Sequence, residues 1–184
     1  SLSLSKEAAQ TCFSQIQNFD AKQITHLIVV SCTGMFAPGL DIDLIHNLGL
    51  NTTVHRTNIT FMGCYAAFNA LRVADSFCQH PDAKVLIVCT ELCSLHFQKE
   101  NTEDNKLANA LFADGSAVVL VESIPRKKLN LKVGDFFCDL APEGENDMAW
   151  TIGELGFEMK LSTYVPEAIR RGIKNLTTSL LSLN

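Results

Sequence analysis

Two continuous apolar runs constrain the fold of this chain more than any other feature. Residues 24–31 contain the apolar run Leu27–Val30, and residues 84–89 contain the run Val85–Cys89; such runs are typical of strands buried on both faces of a parallel sheet. Further strands are predicted at 54–61, 116–121 and 129–138, and helices at 6–19, 40–48, from Cys64 to about Gln79, 107–112 and 166–183. Residues 98–106 are polar and predict a surface loop. This alternation predicts an α/β protein with helices layered on a central sheet.

Composition narrows the classes of function. Hydrophobic residues make up 47% of the 184 positions, enough for a buried core, whereas only 19% are charged. Such a low charged fraction indicates that a partner chain or further sequence covers part of the surface. The net charge of −5 argues against nucleic acid as a partner. No apolar stretch is long enough to span a membrane, so we expect a cytoplasmic protein without a membrane partner.

The seven cysteines are an odd number and show no Cys-x-x-Cys spacing. This pattern favours reduced thiols over a disulfide framework, and it predicts no metal site. Glu91 follows the second apolar run. The alternatives are a buried acid with a shifted pKa and a structural hydrogen-bonding role, and we expect the second.

Cys64 has the sequence context of a nucleophile. A β-branched stretch ends at Gly63, Cys64 follows, and a run of helix formers begins directly afterwards. This order predicts a sharp strand-to-helix elbow with the sulfur on the first helical turn. The unpaired N–H groups and the dipole of the helix would favour the thiolate there. The elbow therefore suggests covalent catalysis, and the alternative is a small, buried packing residue.

Three segments together resemble one enzyme family. They are Ile24–Val30 with the Thr33-Gly34…Pro38-Gly39 loop, Gly63-Cys-Tyr-Ala-Ala67 with Leu71–Ala74, and Val85–Glu91 with Ala110-Leu-Phe-Ala-Asp-Gly115. Their order and spacing resemble the type III polyketide synthases, the chalcone and stilbene synthase family of the thiolase fold. A weaker similarity continues through Gly153–Phe157 and Tyr164–Pro166. The resemblance implies a thiolase-like α/β/α architecture, with 1–184 as a single domain truncated at both ends relative to the family.

The family resemblance also implies a reaction. Such enzymes are homodimers that transfer a starter acyl group from coenzyme A to a cysteine and extend it with malonyl-CoA by decarboxylative condensation. Acyl-CoA and malonyl-CoA are the implied substrates, without any cofactor. Cys64 matches the acyl-carrying nucleophile, and Phe112 matches the phenylalanine between the coenzyme A tunnel and the reaction cavity.

The resemblance further implies a set of substrate-binding positions at which this chain departs from the plant enzymes. Cys32, Cys93 and His96 replace threonines, and Ala37 replaces a methionine that reaches into the partner's cavity. Trp150 replaces a cavity glycine and Met159 a phenylalanine, which favours a shorter product or a different cyclisation. The substrate-binding residues expected on this basis are Cys32, Thr33, Ala37, Cys93, His96, Trp150 and Met159.

Several elements of the family are missing from the chain. The family's catalytic histidine and asparagine come from its second half, and its basic residues for coenzyme A phosphates come from upstream of Ser1. We therefore expect the segment alone to be inactive. The alternatives are a ketoacyl-carrier-protein synthase III, a hydroxymethylglutaryl-CoA synthase-like condensing enzyme, or a noncatalytic fragment that only dimerises.

Overall fold

A four-stranded mixed sheet forms the centre of the first half of the chain. The computed structural model describes residues 2–16, 18–126, 130–140, 144, 147–153 and 156–183. The strands are β1 (His26–Ser31), β2 (His55–Thr60), β3 (Lys84–Glu91) and β4 (Gly115–Glu122), in the spatial order β2-β1-β3-β4. Strand β1 is parallel to both β2 and β3, whereas β4 is antiparallel to β3.

Helices cover both faces of this sheet because successive side chains of a strand point to opposite faces. On one face Leu27 and Val29 pack with α2 (Leu40–Leu48), and α1 (Leu2–Ser14) also contacts this layer. On the other face, Ile28 and Val30 pack with the small residues of α3 (Ala66–Phe77). The result is a layered α/β/α arrangement in which β1 and β3 are buried on both sides, as their continuous apolar runs predict.

The chain divides into two compact units. Unit 1 comprises Ser1–Leu92 and Asp114–Val133, and unit 2 comprises Cys93–Ala113 and Gly134–Asn184. Unit 2 contains α4 (Glu103–Leu111), the antiparallel hairpin of β5 (Met148–Gly153) and β6 (Gly156–Leu161), and α5 (Val165–Leu181). Helix α4 packs against β6. None of the described helices combines the length and apolar content needed to cross a membrane.

Most predicted elements of unit 1 are confirmed. Helix α2 has the predicted bounds, and it ends where Gly49 adopts the left-handed conformation (φ 68°), which glycine tolerates without a Cβ clash. The predicted strands at 24–31, 54–61, 84–89 and 116–121 correspond to β1 to β4 within a few residues.

The predictions are less successful beyond β4. The strand predicted at 129–138 is wrong for residues 130–138, which are irregular and make no ladder, and residue 129 lies outside the described residues. The loop predicted at 98–106 is partly wrong because α4 already begins at Glu103, where the Thr102 side chain caps it. The hairpin β5–β6 was not predicted at all. The predicted terminal helix is confirmed as α5.

Candidate active site

Cys64 lies in a tight elbow between β2 and α3. After β2 ends at Thr60, Phe61 and Gly63 both have positive φ, 59° and 76°. The Ala66 N–H donates to the Gly63 carbonyl oxygen at 3.1 Å, which closes the turn. The elbow is therefore confirmed, but one detail differs from the prediction. Because α3 begins only at Ala66, Cys64 lies two residues before the helix and not in its first turn.

The elbow shares one edge of the sheet with the ends of two other strands. Since β1, β2 and β3 are parallel, their carboxyl ends meet at the same edge. Cys32 follows β1, Cys64 follows β2, and Glu91 is the last residue of β3. This edge is where open α/β sheets bind their ligands.

Glu91 ties the turn after β1 to the end of β3. Its carboxylate accepts from the Cys32 N–H at 2.9 and 3.1 Å, from the Thr33 N–H at 3.1 Å and from the Thr33 hydroxyl at 2.6 Å. The Thr33 Oγ1 in turn accepts from the Leu92 N–H at 2.8 Å. The expected hydrogen-bonding role of Glu91 is thus confirmed, and it accounts for the burial of Thr33.

The electrostatics of Cys64 are opposite to the expectation from the sequence. The residue is exposed, but neighbouring atoms remove part of the water from its thiol. This desolvation raises the pKa of Cys64, and the nearby Cys32 and Glu91 raise it further. Desolvation and negative charge both disfavour a thiolate. Within this chain, desolvation and the nearby groups therefore act against the thiolate that the sequence context favours.

The other predicted site residues of unit 1 lie in the segment after β1. Cys32 is half-buried and Ala37 is exposed, four residues beyond Thr33. Unit 1 thus contributes Cys64 and the three candidate positions Cys32, Thr33 and Ala37.

Unit 2 contains the remaining candidates. Phe112 caps the carboxyl end of α4, where its N–H donates to the Ala108 carbonyl oxygen at 2.9 Å, and its side chain is half-buried. Cys93 and His96 begin and end a single 3₁₀ turn. Trp150 on β5 lies directly opposite Met159 on β6.

Three aromatic rings of unit 2 form a cluster. The ring centroid of His96 is 5.4 Å from Trp150 and 4.6 Å from Phe157, in both cases edge-on, and Trp150 stacks on Phe157 at 5.6 Å. Phe157 is a site candidate that was not predicted, although it ends the Gly153–Phe157 segment. Trp150 Nε1 is buried and has no hydrogen-bond partner among the described residues. His96, Trp150 and Met159 are therefore brought together as a group.

Among the residues that the structure describes, no group of three or more histidine, cysteine or acidic side chains is placed to hold a metal ion.

Comparison with known proteins identifies the family. The model of the N-terminal domain of chalcone and stilbene synthases matches residues 1–125, which include Cys64 and Phe112. The chain is 34% identical over 180 residues to "Probable polyketide synthase 1" of Dictyostelium discoideum, covering 95% of this chain and 6% of that protein. It is 32% identical over 168 residues to an "alpha-pyrone synthesis polyketide synthase-like" protein of Mycobacterium tuberculosis, covering 89% of this chain and 43% of the relative.

Solved structures agree with the sequence comparisons. The C-terminal type III polyketide synthase domain of Steely1, a type I/III hybrid from Dictyostelium, superposes with a TM-score of 0.85 at 32% identity, over 98% of this chain and 50% of that one. PKS-I of the brown alga Ectocarpus siliculosus gives a TM-score of 0.89 at 31% identity, and the match covers 98% of this chain and 48% of PKS-I. The chain thus spans half or less of the length of these proteins. It belongs to the chalcone and stilbene synthase family of type III polyketide synthases and has their thiolase-like fold.

Proposed function

We propose that the protein containing this chain is an acyltransferase that builds polyketides through a thioester on Cys64. The elbow at the carboxyl edge of the sheet is the observation that carries this proposal. It lies inside the segment matched by the family model, and it presents the thiol on the surface of unit 1. A sulfur nucleophile suits thioester exchange because the group that it displaces is also a thiol.

Two covalent steps follow from this assignment. In the first, the Cys64 sulfur attacks the carbonyl carbon of a starter acyl-CoA, the bond to the coenzyme A sulfur breaks, and the Cys64 proton passes to a base. In the second, malonyl-CoA loses carbon dioxide, and the resulting carbanion attacks the acyl carbon on Cys64 and releases the Cys64 thiolate. Covalent attachment keeps the reacting groups together for repeated extension.

Because desolvation and nearby groups raise the pKa of Cys64, we propose that a base takes its proton in the first step. By resemblance, the base and the carbonyl-polarising donors are a histidine and an asparagine that this chain lacks. Loss of one such donor commonly raises the barrier by about 2.7–4 kcal/mol. We therefore propose that the 184-residue chain is nearly inactive alone, and that acyl transfer requires the remaining part of the family's fold.

The unit 2 residues are proposed to shape the product. Phe112 is the proposed gate that excludes water from the intermediate. Cys93, His96, Trp150 and Met159 are proposed to contact the growing chain, as are Cys32, Thr33 and Ala37 of unit 1. Comparison with polyketide synthases favours this function over the other condensing enzymes. Homodimerisation and a cytoplasmic location remain predictions.

The proposal is tested by intact-protein mass after exposure to a panel of acyl-CoA thioesters. We expect the complete protein encoded by this reading frame to gain an acyl group, and Cys64→Ser to gain none. Cys138→Ser is the matched control because Cys138 is also an exposed free thiol, and it should acylate normally. No adduct on the complete protein, or an adduct that survives Cys64→Ser, would refute the proposal. Extension of the acyl group with malonyl-carrier protein instead of malonyl-CoA would favour a ketoacyl-carrier-protein synthase.

A second test addresses Trp150. We expect Trp150→Gly in the complete protein to lengthen the product by at least one extension, since the substitution removes the indole from the aromatic cluster. Ile152→Ala is the control, because Ile152 is an exposed residue of the same strand. Product masses would be measured by chromatography and mass spectrometry. An unchanged product profile in Trp150→Gly would contradict the proposed role.

A further inference from the structure

The aromatic cluster of unit 2 is built from two separate segments of the chain. Trp150 and Phe157 lie on the hairpin β5–β6, whereas His96 comes from the end of the 3₁₀ turn. The His96 ring meets the other two rings edge-on, at centroid distances of 5.4 and 4.6 Å. Because each edge-on ring contact adds only a modest energy, the position of His96 also depends on what holds its segment to the hairpin.

Gln98, two residues after His96, provides such a link. Its side-chain Nε2 donates to the Phe157 carbonyl oxygen at 3.3 Å, so a hydrogen bond joins the segment of His96 directly to β6. Phe157 is also the residue whose ring contacts both His96 and Trp150. Since Gln98 is half-buried, water competes less for this bond than at the open surface. The bond therefore acts on the strand position at which the rings meet.

The backbone of Gln98 is held as well. The Asn109 Nδ2, on α4, donates to the Gln98 carbonyl oxygen at 3.0 Å. Helix α4 is capped at its carboxyl end by Phe112, the proposed gate, and it packs against β6. Gln98 thus joins its own segment both to the helix that leads to the gate and to the strand that carries Phe157.

We propose that Gln98 is a positioning residue for polyketide synthesis, which keeps the His96 ring against Trp150 and Phe157 and thereby limits the length of the product. The inference rests on the proposed function only in assigning the aromatic cluster to the shaping of the product. Gln98 acts through the cluster and does not contact the growing chain. A cluster built from two segments limits the product only while the segments stay together, so loss of the link should allow further extension.

The first measurement is the fluorescence of Trp150, the single tryptophan of the 184-residue chain, and it requires no substrate. Gln98→Leu removes the amide donor but keeps a side chain of similar bulk. We expect the emission of Trp150 to move to longer wavelength in this variant, because the indole gains contact with water when His96 moves away. The far-ultraviolet circular dichroism spectrum should remain that of the unaltered chain.

Asn105→Ala is the matched control. The Asn105 Nδ2 donates to the Glu100 carbonyl oxygen at 3.1 Å, so this variant also loses a side-chain hydrogen bond at the start of α4, but one that does not reach β6. Gln98→Lys is the rescue variant, since its ammonium group can still donate to the Phe157 carbonyl oxygen. We expect both to keep the emission of the unaltered chain. An unshifted emission in Gln98→Leu, or an equal shift in either of the other variants, would overturn the inference.

The second measurement is the product profile of the complete protein encoded by this reading frame, supplied with malonyl-CoA and the starter acyl-CoA that acylates Cys64. We expect Gln98→Leu to raise the ratio of longer products to the main product by about fivefold, the population change that loss of one ordinary hydrogen bond produces. Acylation of Cys64, followed by intact-protein mass, should be unchanged.

The two measurements separate this inference from the proposed function. An unchanged product profile in Gln98→Leu, with normal acylation of Cys64, would overturn the role of Gln98 in the reaction. Absence of acylation in the unaltered protein would refute the proposed function instead. In that case the fluorescence of Trp150 would still decide whether Gln98 holds the aromatic cluster together.

Discussion

Unit 1 and unit 2 differ in how many of their own apolar side chains they bury. Both core clusters, one on each face of the sheet, consist of unit 1 residues. Among the described residues of unit 2, only Ala108 and Leu161 are buried hydrophobics. Helix α5 has none, although it is amphipathic. An amphipathic pattern thus predicts a helix, whereas the burial that stabilises it depends on what covers the apolar face.

The difference in burial between the two units matches a difference in the roles proposed for their residues. The Cys64 elbow and Glu91, which holds the turn after β1, lie at the edge of the well-buried sheet of unit 1, where packing fixes the positions of side chains. The residues proposed to shape the product, such as His96 and Trp150, lie on the less buried elements of unit 2. Positions that can change with little loss of core packing are suited to altering specificity.

The largest expected effect tests whether unit 1 carries the stability of the chain. Leu86 on β3 is 0% exposed, so Leu86→Ala should lower the free energy of unfolding by about 2–5 kcal/mol through lost burial and a cavity. Ile169 on α5 is 59% exposed, and Ile169→Ala should change the free energy of unfolding by less than about 0.5 kcal/mol. Urea unfolding followed by circular dichroism measures both. Similar losses in the two variants would contradict the comparison.

A smaller effect is expected at the start of α4. The Thr102 hydroxyl accepts from the Asn105 N–H at 3.2 Å and caps this helix. Because α4 buries only Ala108, it depends on its cap, and Thr102→Ala should weaken it by about 0.5–2 kcal/mol. Hydrogen exchange of the α4 amides should accelerate in this variant and not in Thr102→Ser. Unchanged exchange in Thr102→Ala would show that tertiary contacts hold α4.

The smallest effect is a pH dependence confined to unit 1. His26 stacks between His55 and Phe77, and burial, His55 and His80 lower its pKa below 6.5. The unfolded chain therefore binds a proton at a higher pH than the folded chain, so stability should fall as the pH decreases below about 6.5.

This pH dependence is measured as the difference in melting temperature between about pH 7.5 and pH 5.5. We expect His26→Phe, which can preserve the ring stacking, to reduce that difference. His46→Gln, at an exposed histidine of α2, should leave it unchanged. An equal reduction in both variants would rule out a specific role for His26.

The parts of the fold that could be predicted are those in which the burial pattern is simple. Strands β1 and β3 are covered on both faces, so they appear in the sequence as continuous apolar runs. Strand β5 is partly exposed and gives no clear alternation. Strand β6 does alternate apolar and polar residues from Phe157 to Leu161, so its signal was present in the sequence and was missed. The strand wrongly predicted at 129–138 includes Leu131, which is 95% exposed. Apolar residues with strand propensity form no strand without a partner and a surface to cover.

In the candidate site, too, the local sequence predicts local geometry but not the effects of residues that are distant in the chain. Gly63 before Cys64 was sufficient to predict the elbow, because a sharp turn needs a residue that tolerates positive φ. The direction of the Cys64 pKa shift could not be predicted locally. It depends on desolvation and on the charge of Glu91, a residue of β3 that only the parallel pairing of the strands brings to the same edge.

Phe61 has a positive φ, a backbone conformation that lowers stability but that also shapes the turn leading to Cys64. For a residue with a Cβ, left-handed backbone costs roughly 1–2 kcal/mol, and glycine avoids that cost. A screen for thermostable variants should therefore enrich glycine at position 61, where the added freedom would also loosen the segment leading to Cys64, the proposed nucleophile. A screen for the proposed acyl transfer would select against the same substitution, so the two screens should give opposite results at this position.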